Sequence, residues 1–317
     1  VSTRELSGVI SYDPTELVVH VKAGTGLREL ESTLAESGQM LPFEPPHFGE
    51  DATVGGMVAA GLSGPRRPFG GSVRDHVLGA GLINGRAEHL TFGGQVMKNV
   101  AGYDVSRLLT GSMGTLGIIT DVSFKVLPLP VFQQTQAIEG LDRTEAIARM
   151  ASLMSTAAPV SAAAHVNATL HVRLSGAEKA VRACTGQLGG AVVDDGDSFW
   201  LALREHTLPQ FDHAQTLWRL SVPPATADLA NDVGDGAQWI IDWGGAQRWV
   251  SGSDLDVAAM RELGNRCGGH ATAFRGMDRR ADVFTPLAPA VNKIQQNLKS
   301  AFDPHRIFNP GRLYPDI

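Results

Sequence analysis

The residues best suited to chemistry lie between Glu44 and Pro128, where glycines, a threonine and paired arginines fall in an order that suits a large anionic ligand. Sixteen of the 36 glycines lie from Gly49 to Gly117. Glycine at that density marks either flexible linker or main chain that approaches something closely. These glycines alternate with Val, Ile, Leu and Met, which a linker lacks, so close approach is the better reading. Thr53-Val-Gly-Gly reads as an N-cap opening a helix of small residues from Val54 to Leu62. An N-terminus of that kind offers N–H groups to an anion, or it packs tightly against a sheet with no ligand at all. Gly64-Pro-Arg-Arg-Pro then forms a rigid loop carrying two adjacent guanidinium groups, Arg66 and Arg67.

Other chemistries find little support. Gly24-Thr-Gly26 runs on into Leu-Arg-Glu rather than a dinucleotide fingerprint. There is no Walker loop, no His-Glu-x-x-His and no Gly-x-Ser-x-Gly. His165 and His171 have the spacing to share a strand face, but with no carboxylate or third ligand they read as surface or packing histidines. No metal is expected. A formal charge of −6 argues against nucleic acid, whose phosphates need clustered Lys and Arg. Cys184 and Cys267 make no disulfide framework, which suits a reducing compartment. No apolar run approaches the about 18 residues of a membrane span, and no signal peptide is evident.

The elements that must position these residues follow from periodicity. At 317 residues, 43% of them hydrophobic and 19% charged, one large domain or two medium ones is expected. Gly8 to Tyr12 and Leu17 to Ala23 read as strands about the Asp13-Pro14 turn, and Leu27, Leu30 and Leu34 as a helix from 27 to 37. Ser72 leads into a strand at 77 to 83, with another at 89 to 92. Gly111-x-x-Gly-x-x-Gly117 enters a strand with Val122, Phe124 and Val126 on one face and Asp121, Ser123 and Lys125 on the other. Pro128 and Pro130 mark a boundary.

Beyond it, Asp142-x-x-Glu145 and Ser175-x-x-Glu178 resemble capping boxes. Strands are expected at 169 to 174, 198 to 203, 216 to 222 and 238 to 242, and a helix from Ser253 to Gly268-Gly269. A last helix carries the stripe Val291, Ile294, Leu298 and Phe302. The five tryptophans from Trp200 to Trp249 are core or contact surface, with at least three assigned to core. The fold class is α+β, with an antiparallel sheet backed by helices in the second half.

Taken in order, several motifs resemble the FAD-linked oxidase family of the vanillyl-alcohol-oxidase type. They are Tyr12-Asp-Pro, Val21-x-Ala-Gly-x-x-Leu-x-x-Leu, Pro45-Pro46, Thr53-Val-Gly-Gly and Val73-Arg-Asp-His-Val-Leu-Gly. Gly111-Ser-x-Gly-Thr-Leu-Gly-Ile-Ile-Thr, Lys125-x-x-Pro, Asp303-Pro and Phe308-Asn-Pro-Gly-Arg complete the set. Met40-Leu-Pro-x-Glu-Pro-Pro-His, Gly64-Pro-Arg-Arg-Pro and Phe92-Gly-Gly-x-Val-Met-Lys-Asn-Val-Ala-Gly-Tyr-Asp are similar to the FAD-binding subunits of bacterial glycolate oxidases. So are Trp218-Arg-Leu-Ser, Ile241-Asp-Trp-Gly-Gly-Ala and Gly268-Gly-His-Ala-Thr.

The resemblance implies a PCMH-type FAD-binding domain over residues 1–128, an α+β cap over 129–285, and a segment at 286–317 returning to the first domain. It implies FAD contacts from Pro45, Pro46, His47, Gly61, Gly64, Arg66, Ser72, Val73, Arg74 and Asp75, with the pyrophosphate near Thr53, Gly55, Gly56 and Met57. Further contacts would come from Gly114, Gly117, Ile118 and Ile119, and from Asn309 and Arg312 beside the flavin. It also implies that the family's first strand–helix–strand and its pyrophosphate loop lie ahead of Val1. That unit is expected to be missing here, with weakened FAD binding as the result.

The implied activity is oxidation of glycolate to glyoxylate in a complex with a homologous larger FAD subunit and an iron–sulfur subunit. The implied location is cytoplasmic, peripheral at the inner membrane through that complex. Relatives that oxidise hydroxy acids carry Glu-His-Gly after a Gly-Gly and an Asp-Gly-Asn segment before it, and this chain has neither. The chemistry needs a base for the hydroxyl proton and a cation for the carboxylate. His270 is the candidate base, and Arg66, Arg67 or Arg275 the cation; otherwise they pack, cap or hold a loop. The alternatives are an accessory flavin-fold subunit without turnover, or a stand-alone FAD enzyme for another 2-hydroxy acid.

Overall fold

The structure, a computed structural model, describes residues 2–94, 103–212, 215–234, 236–253, 255–277 and 283–317. The part of the Phe92 motif at 95–102 lies outside the described residues.

β1 (Val9–Asp13) and β2 (Val18–Lys22) flank a turn in which Asp13 Oδ1 accepts from Thr15 N at 2.9 Å. Leu27, Leu30 and Leu34 are the buried residues of α1 (Leu27–Glu36), as one helical stripe requires. β3 (Gln39–Met40), α2 (Val54–Ala60), α3 (Arg67–Gly70) and α4 (Val73–His76) follow. Next come β4 (Val77–Ile83), β5 (His89–Gly93), α5 (Val105–Leu108), β6 (Ile118–Lys125) and β7 (Leu127–Pro128). The run β8 (Phe132–Glu139), α6 (Arg143–Met154), β9 (Val160–Val166), β10 (Thr169–Gly176), α7 (Glu178–Leu188) and β11 (Ala191–Val192) opens the remainder. It closes with α8 (Gly196–Arg204), β12 (Thr216–Ser221), β13 (Gln238–Asp242), β14 (Gln247–Gly252), α9 (Val257–Arg266), β15 (His270–Arg275) and α10 (Pro289–Phe302).

The chain divides into two compact units. One comprises Val1–Gly64, Gly71–Leu129 and Pro286–Ile317, the other Pro65–Gly70 and Pro130–Thr285. In the first, an antiparallel five-stranded sheet of order β1-β2-β6-β4-β5 presents Val19, Val21, Val122 and Phe124 to α1 and to Val54 and Val58 of α2. Each leucine that α1 buries contributes about 1.5–3 kcal/mol. In the second, an antiparallel eight-stranded sheet runs β11-β8-β10-β9-β13-β14-β12-β15. Residues on one face, among them Leu170, Val172, Trp218 and Val250, pack with α6, α7 and α9. On the other, Ala162, Ala164 and Trp249 meet Trp200 and Leu203 of α8. The α+β reading holds, and all five tryptophans are buried.

Several local expectations are corrected. The strand placed at 198 to 203 is helix α8: Asp195 Oδ1 accepts from Ser198 N, and Trp200 and Leu203 share its buried side. Ser175 belongs to β10, its hydroxyl donating to Gln133 Oε1, so α7 starts at an uncapped Ala177. Asp256, not Ser253, caps α9. The rigid loop after Gly64 turns into α3, the small-residue helix stops at Gly61, and β8, β9, α4, α5, β14 and β15 had no sequence counterpart. His165 and His171 lie on neighbouring strands, opposite Leu170 and Ala164 respectively, so they face opposite sides of the sheet. Of the last helix's stripe, Leu298 and Phe302 reach the core while Val291 and Ile294 are exposed.

His171 stacks on Phe199 with 3.8 Å between ring centroids, and burial lowers its pKa from 6.5 to about 4. The unfolded chain therefore holds more protons than the folded one between those values. This contribution to stability is complete above pH 6.5 and is lost as pH falls toward about 4. Thermal unfolding followed from neutral pH to about 4 is expected to show a falling Tm, with a shallower fall in His171→Gln. Parallel slopes would remove His171 from the account.

Candidate functional site

In the first unit, one glycine turn gathers the groups best placed to hold a ligand. Gly61 ends α2 with φ +65°, and a Cβ there would lie 2.9 Å from Gly111 N, so the turn from Gly111 to Gly117 can lie directly against the helix end. Gly111 N donates to Val58 O at 2.9 Å, and Met113 N to Ala59 O at 2.8 Å. Within the turn, Thr115 N and Oγ1 both donate to Ser112 O, at 3.0 and 2.7 Å. Met113 and Gly114 adopt left-handed backbone in succession, φ +51° and +69°. That geometry leaves the amides of Gly114, Leu116 and Gly117 without an acceptor among the described residues. Successive N–H groups left in this way form a concavity for oxygen acceptors.

The end of the chain fixes this turn. Asn309 Nδ2 donates to Met113 O at 2.8 Å, and a Cβ at Gly114 would come within 2.9 Å of that nitrogen. Lys299 Nζ donates to Thr115 O at 2.7 Å, to Phe308 O at 2.6 Å and to Asp303 Oδ2 at 2.7 Å. Burial works to raise the pKa of Asp303, but the hydrogen bond from Lys299 and those from Phe308 N and Ile307 N outweigh it and hold the carboxyl below its ordinary value. The sequence reading missed Lys299. Its signal was a lysine four residues before an aspartate inside an otherwise apolar stripe.

At the start of α2, where an anion site was expected, the amides have protein acceptors. Val54 N donates to Thr25 O at 2.9 Å, Gly55 N to Ala23 O at 2.7 Å, Gly56 N to Thr53 Oγ1 at 3.2 Å and Met57 N to Thr53 O at 2.9 Å. Every amide of that first turn has a protein acceptor, so tight helix–sheet packing is what the structure has; the Thr53 cap contributes about 1 kcal/mol. At the start of α4, Ser72 N and Oγ both donate to Asp75 Oδ2, and Val73 N donates to Ser63 Oγ. Arg74 is exposed, and Ile118 and Ile119 open β6. Pro45 is buried, Pro46 half-buried, and His47 Nε2 lies 3.2 Å from Glu31 Oε2. Gly64 N donates to Phe43 O at 2.8 Å, and Arg312 is exposed. The structure thus brings Gly61, Gly114, Gly117 and Asn309 to one turn of the first unit.

Arg66 belongs to the second unit, where it is buried and donates from Nη2 to Gln133 Oε1 at 3.0 Å. That contact suits a structural arginine better than a substrate cation. Arg275 Nη2 donates to Phe211 O and Asp212 O, carbonyls that fix the guanidinium in place. His270 opens β15 opposite Ser221; desolvation, then the nearby Arg219 guanidinium, lowers its pKa and favours the neutral ring. Among the described residues no cluster of three metal-ligating side chains occurs.

Comparison with known proteins bears on these units. A family model described as FAD binding domain matches residues 1–106. The chain is 46% identical over 310 residues to the glycolate oxidase subunit GlcE of Escherichia coli, covering 98% of this chain and 85% of that relative. It is 35% identical over 131 residues to a D-lactate dehydrogenase of Anaerostipes hadrus, covering 41% of this chain and 27% of the relative. It is 30% identical over 132 residues to the glycolate oxidase subunit GlcD of Bacillus subtilis, covering 42% and 28%. A solved structure of alkyldihydroxyacetonephosphate synthase matches with a TM-score of 0.68 at 17% identity, covering 97% of this chain and 67% of that one. That likeness shows the fold, with its PCMH-type FAD-binding domain.

The glycine turn is testable through Gly114. Gly114→Ala is expected to cost about 1–2 kcal/mol for a side chain in left-handed backbone, and to lower flavin content by crowding Asn309. Equilibrium unfolding and the flavin-to-protein absorbance ratio check both; an unchanged ratio would separate the turn from the cofactor.

Proposed function

The chain belongs to the FAD-linked oxidase family, on the branch of the glycolate oxidase subunit GlcE, and from that premise we propose that it is the FAD-binding subunit of a glycolate oxidase complex. It takes part there in oxidising glycolate to glyoxylate. The observation that carries the reading is the identity with GlcE over nearly the whole chain. The glycine turn adds physical support, because unmatched amides at Gly114, Leu116 and Gly117 fit a cofactor that brings phosphate and carbonyl oxygens.

FAD, when bound, supplies the acceptor for the two electrons released at Cα. This chain's part is to hold that group and to keep the holding groups in place. The amides of the turn would bind oxygen acceptors, while Asn309 Nδ2 holds Met113 O and Lys299 Nζ holds Thr115 O. His270, with its pKa held below the ordinary imidazole value, is neutral at physiological pH and able to accept a hydroxyl proton.

A homologous larger FAD subunit and an iron–sulfur subunit that carries the electrons onward complete the proposal; the likeness to GlcD supports the first. The compartment proposed is the cytoplasm, with contact to the inner membrane through the complex. Two free cysteines support a reducing environment. No helix among the described residues is long and apolar enough to cross a membrane.

The visible spectrum of the assembled complex, followed during anaerobic addition of glycolate, tests the proposal. Flavin absorbance assignable to this subunit and bleached by glycolate is the expected outcome. A subunit that takes up no flavin from excess FAD contradicts it. Bleaching by another 2-hydroxy acid but not by glycolate contradicts the substrate.

A further inference from the structure

The second unit carries a cation that has no counter-ion among the described residues. Arg219 is half-buried on β12, paired in register with Trp249 of β14 and Thr272 of β15. Alternation puts Ser221 on the same sheet face, and pairing brings Gln247 and His270, both opposite Ser221, to that face as well. Among the described residues nothing hydrogen-bonds or ion-pairs with the Arg219 guanidinium. Asp242, the acid in this row of side chains, accepts from Trp243 N at 2.6 Å and from Gln247 Nε2 at 3.3 Å. A second guanidinium, Arg67, stands over the Trp243 ring, with Cζ 4.3 Å from its centroid.

Burial first, and then Arg67, lowers the pKa of Arg219 to about 10, so the group stays charged at neutral pH. A partly desolvated guanidinium with no acid against it is unfavourable until an anion joins it. The planar guanidinium fork matches a carboxylate. The same fork matches phosphate, but the backbone amides that would serve a phosphate's further oxygens are taken up here, where Arg219 lies mid-strand with its ladder formed on both sides.

We propose that Arg219, with Arg67, Ser221 and His270 around it, binds the carboxylate of a small 2-hydroxy acid on this face of the second unit. The choice of a 2-hydroxy acid rests on the glycolate oxidase reading; the carboxylate site rests on the unmatched guanidinium. Arg219 was not among the cations that the sequence pointed to, because a single arginine inside a Trp-Arg-Leu-Ser strand reads as an exposed or packing residue.

Calorimetric titration of the FAD-loaded protein with glycolate, its uncharged analogue glycolamide and inorganic phosphate tests the site. The wild type is expected to bind glycolate at least about tenfold more tightly than either of the others. Arg219→Gln is expected to lose at least about tenfold in glycolate affinity, the scale of a lost charge-assisted pair, and Arg219→Lys less. Flavin content stays unchanged in both. Equal glycolate affinity in wild type and Arg219→Gln, tighter binding of phosphate, or no glycolate binding by the wild type each overturns the site. Should Arg219→Gln fail to fold, the wild-type ligand series and Arg219→Lys decide the matter. A flavin-loaded protein indifferent to glycolate sinks this inference and leaves FAD binding standing; glycolate binding through Arg219 in a protein that never takes up flavin does the reverse.

Discussion

The first unit depends on one buried ion pair. Lys299 and Asp303 have side-chain exposures of 2% and 0% and meet at 2.7 Å, one helical turn apart at the end of α10. Two charges withdrawn from water are tolerable only when the ammonium protons and both carboxylate oxygens find partners. Here they do: the ammonium reaches Thr115 O and Phe308 O, and the carboxylate takes the amides of Ile307 and Phe308. Loss of the lysine alone would leave a buried, unpaired carboxylate, at about 3–5 kcal/mol. The pair therefore ties the last thirty residues to a turn nearly two hundred residues earlier in the chain. It does so at the turn whose free amides suit FAD.

The two units present complementary deficits. The first has backbone donors without acceptors, on a turn held rigid by Gly61, Asn309 and Lys299. The second has a guanidinium without an acid among the described residues, on a sheet whose opposite face is filled by α6, α7 and α9. An anionic cofactor and an anionic substrate relieve one deficit each. One site is a turn tied down by Asn309 and Lys299 and the other lies on a strand packed in a sheet, which keeps donors fixed before a ligand arrives.

Much of the first unit was legible in the sequence, because its signals are local. The Leu27, Leu30, Leu34 spacing and the alternation around Val122 and Phe124 act within a few residues. The glycine pattern from Gly111 to Gly117 likewise marked the entry to β6. The start of α2 misled for a physical reason: glycines at 55 and 56 permit anion binding and close packing equally, and only the acceptors at Ala23 and Thr25 decide between them. In the second unit, α8 was mistaken for a strand because Phe199, Trp200 and Leu201 form a short apolar run, which periodicity alone does not resolve. Lys299 and Arg219 escaped notice for a further reason. A charged residue is read as exposed until tertiary structure shows what surrounds it.

Hydrogen exchange of backbone amides, with and without saturating FAD, tests the central claim most directly. The account predicts that FAD slows exchange at Gly114, Leu116 and Gly117, and changes it little from Val54 to Met57, where each amide already has an acceptor. Protection at the start of α2 with none in the Gly111–Gly117 turn would contradict it.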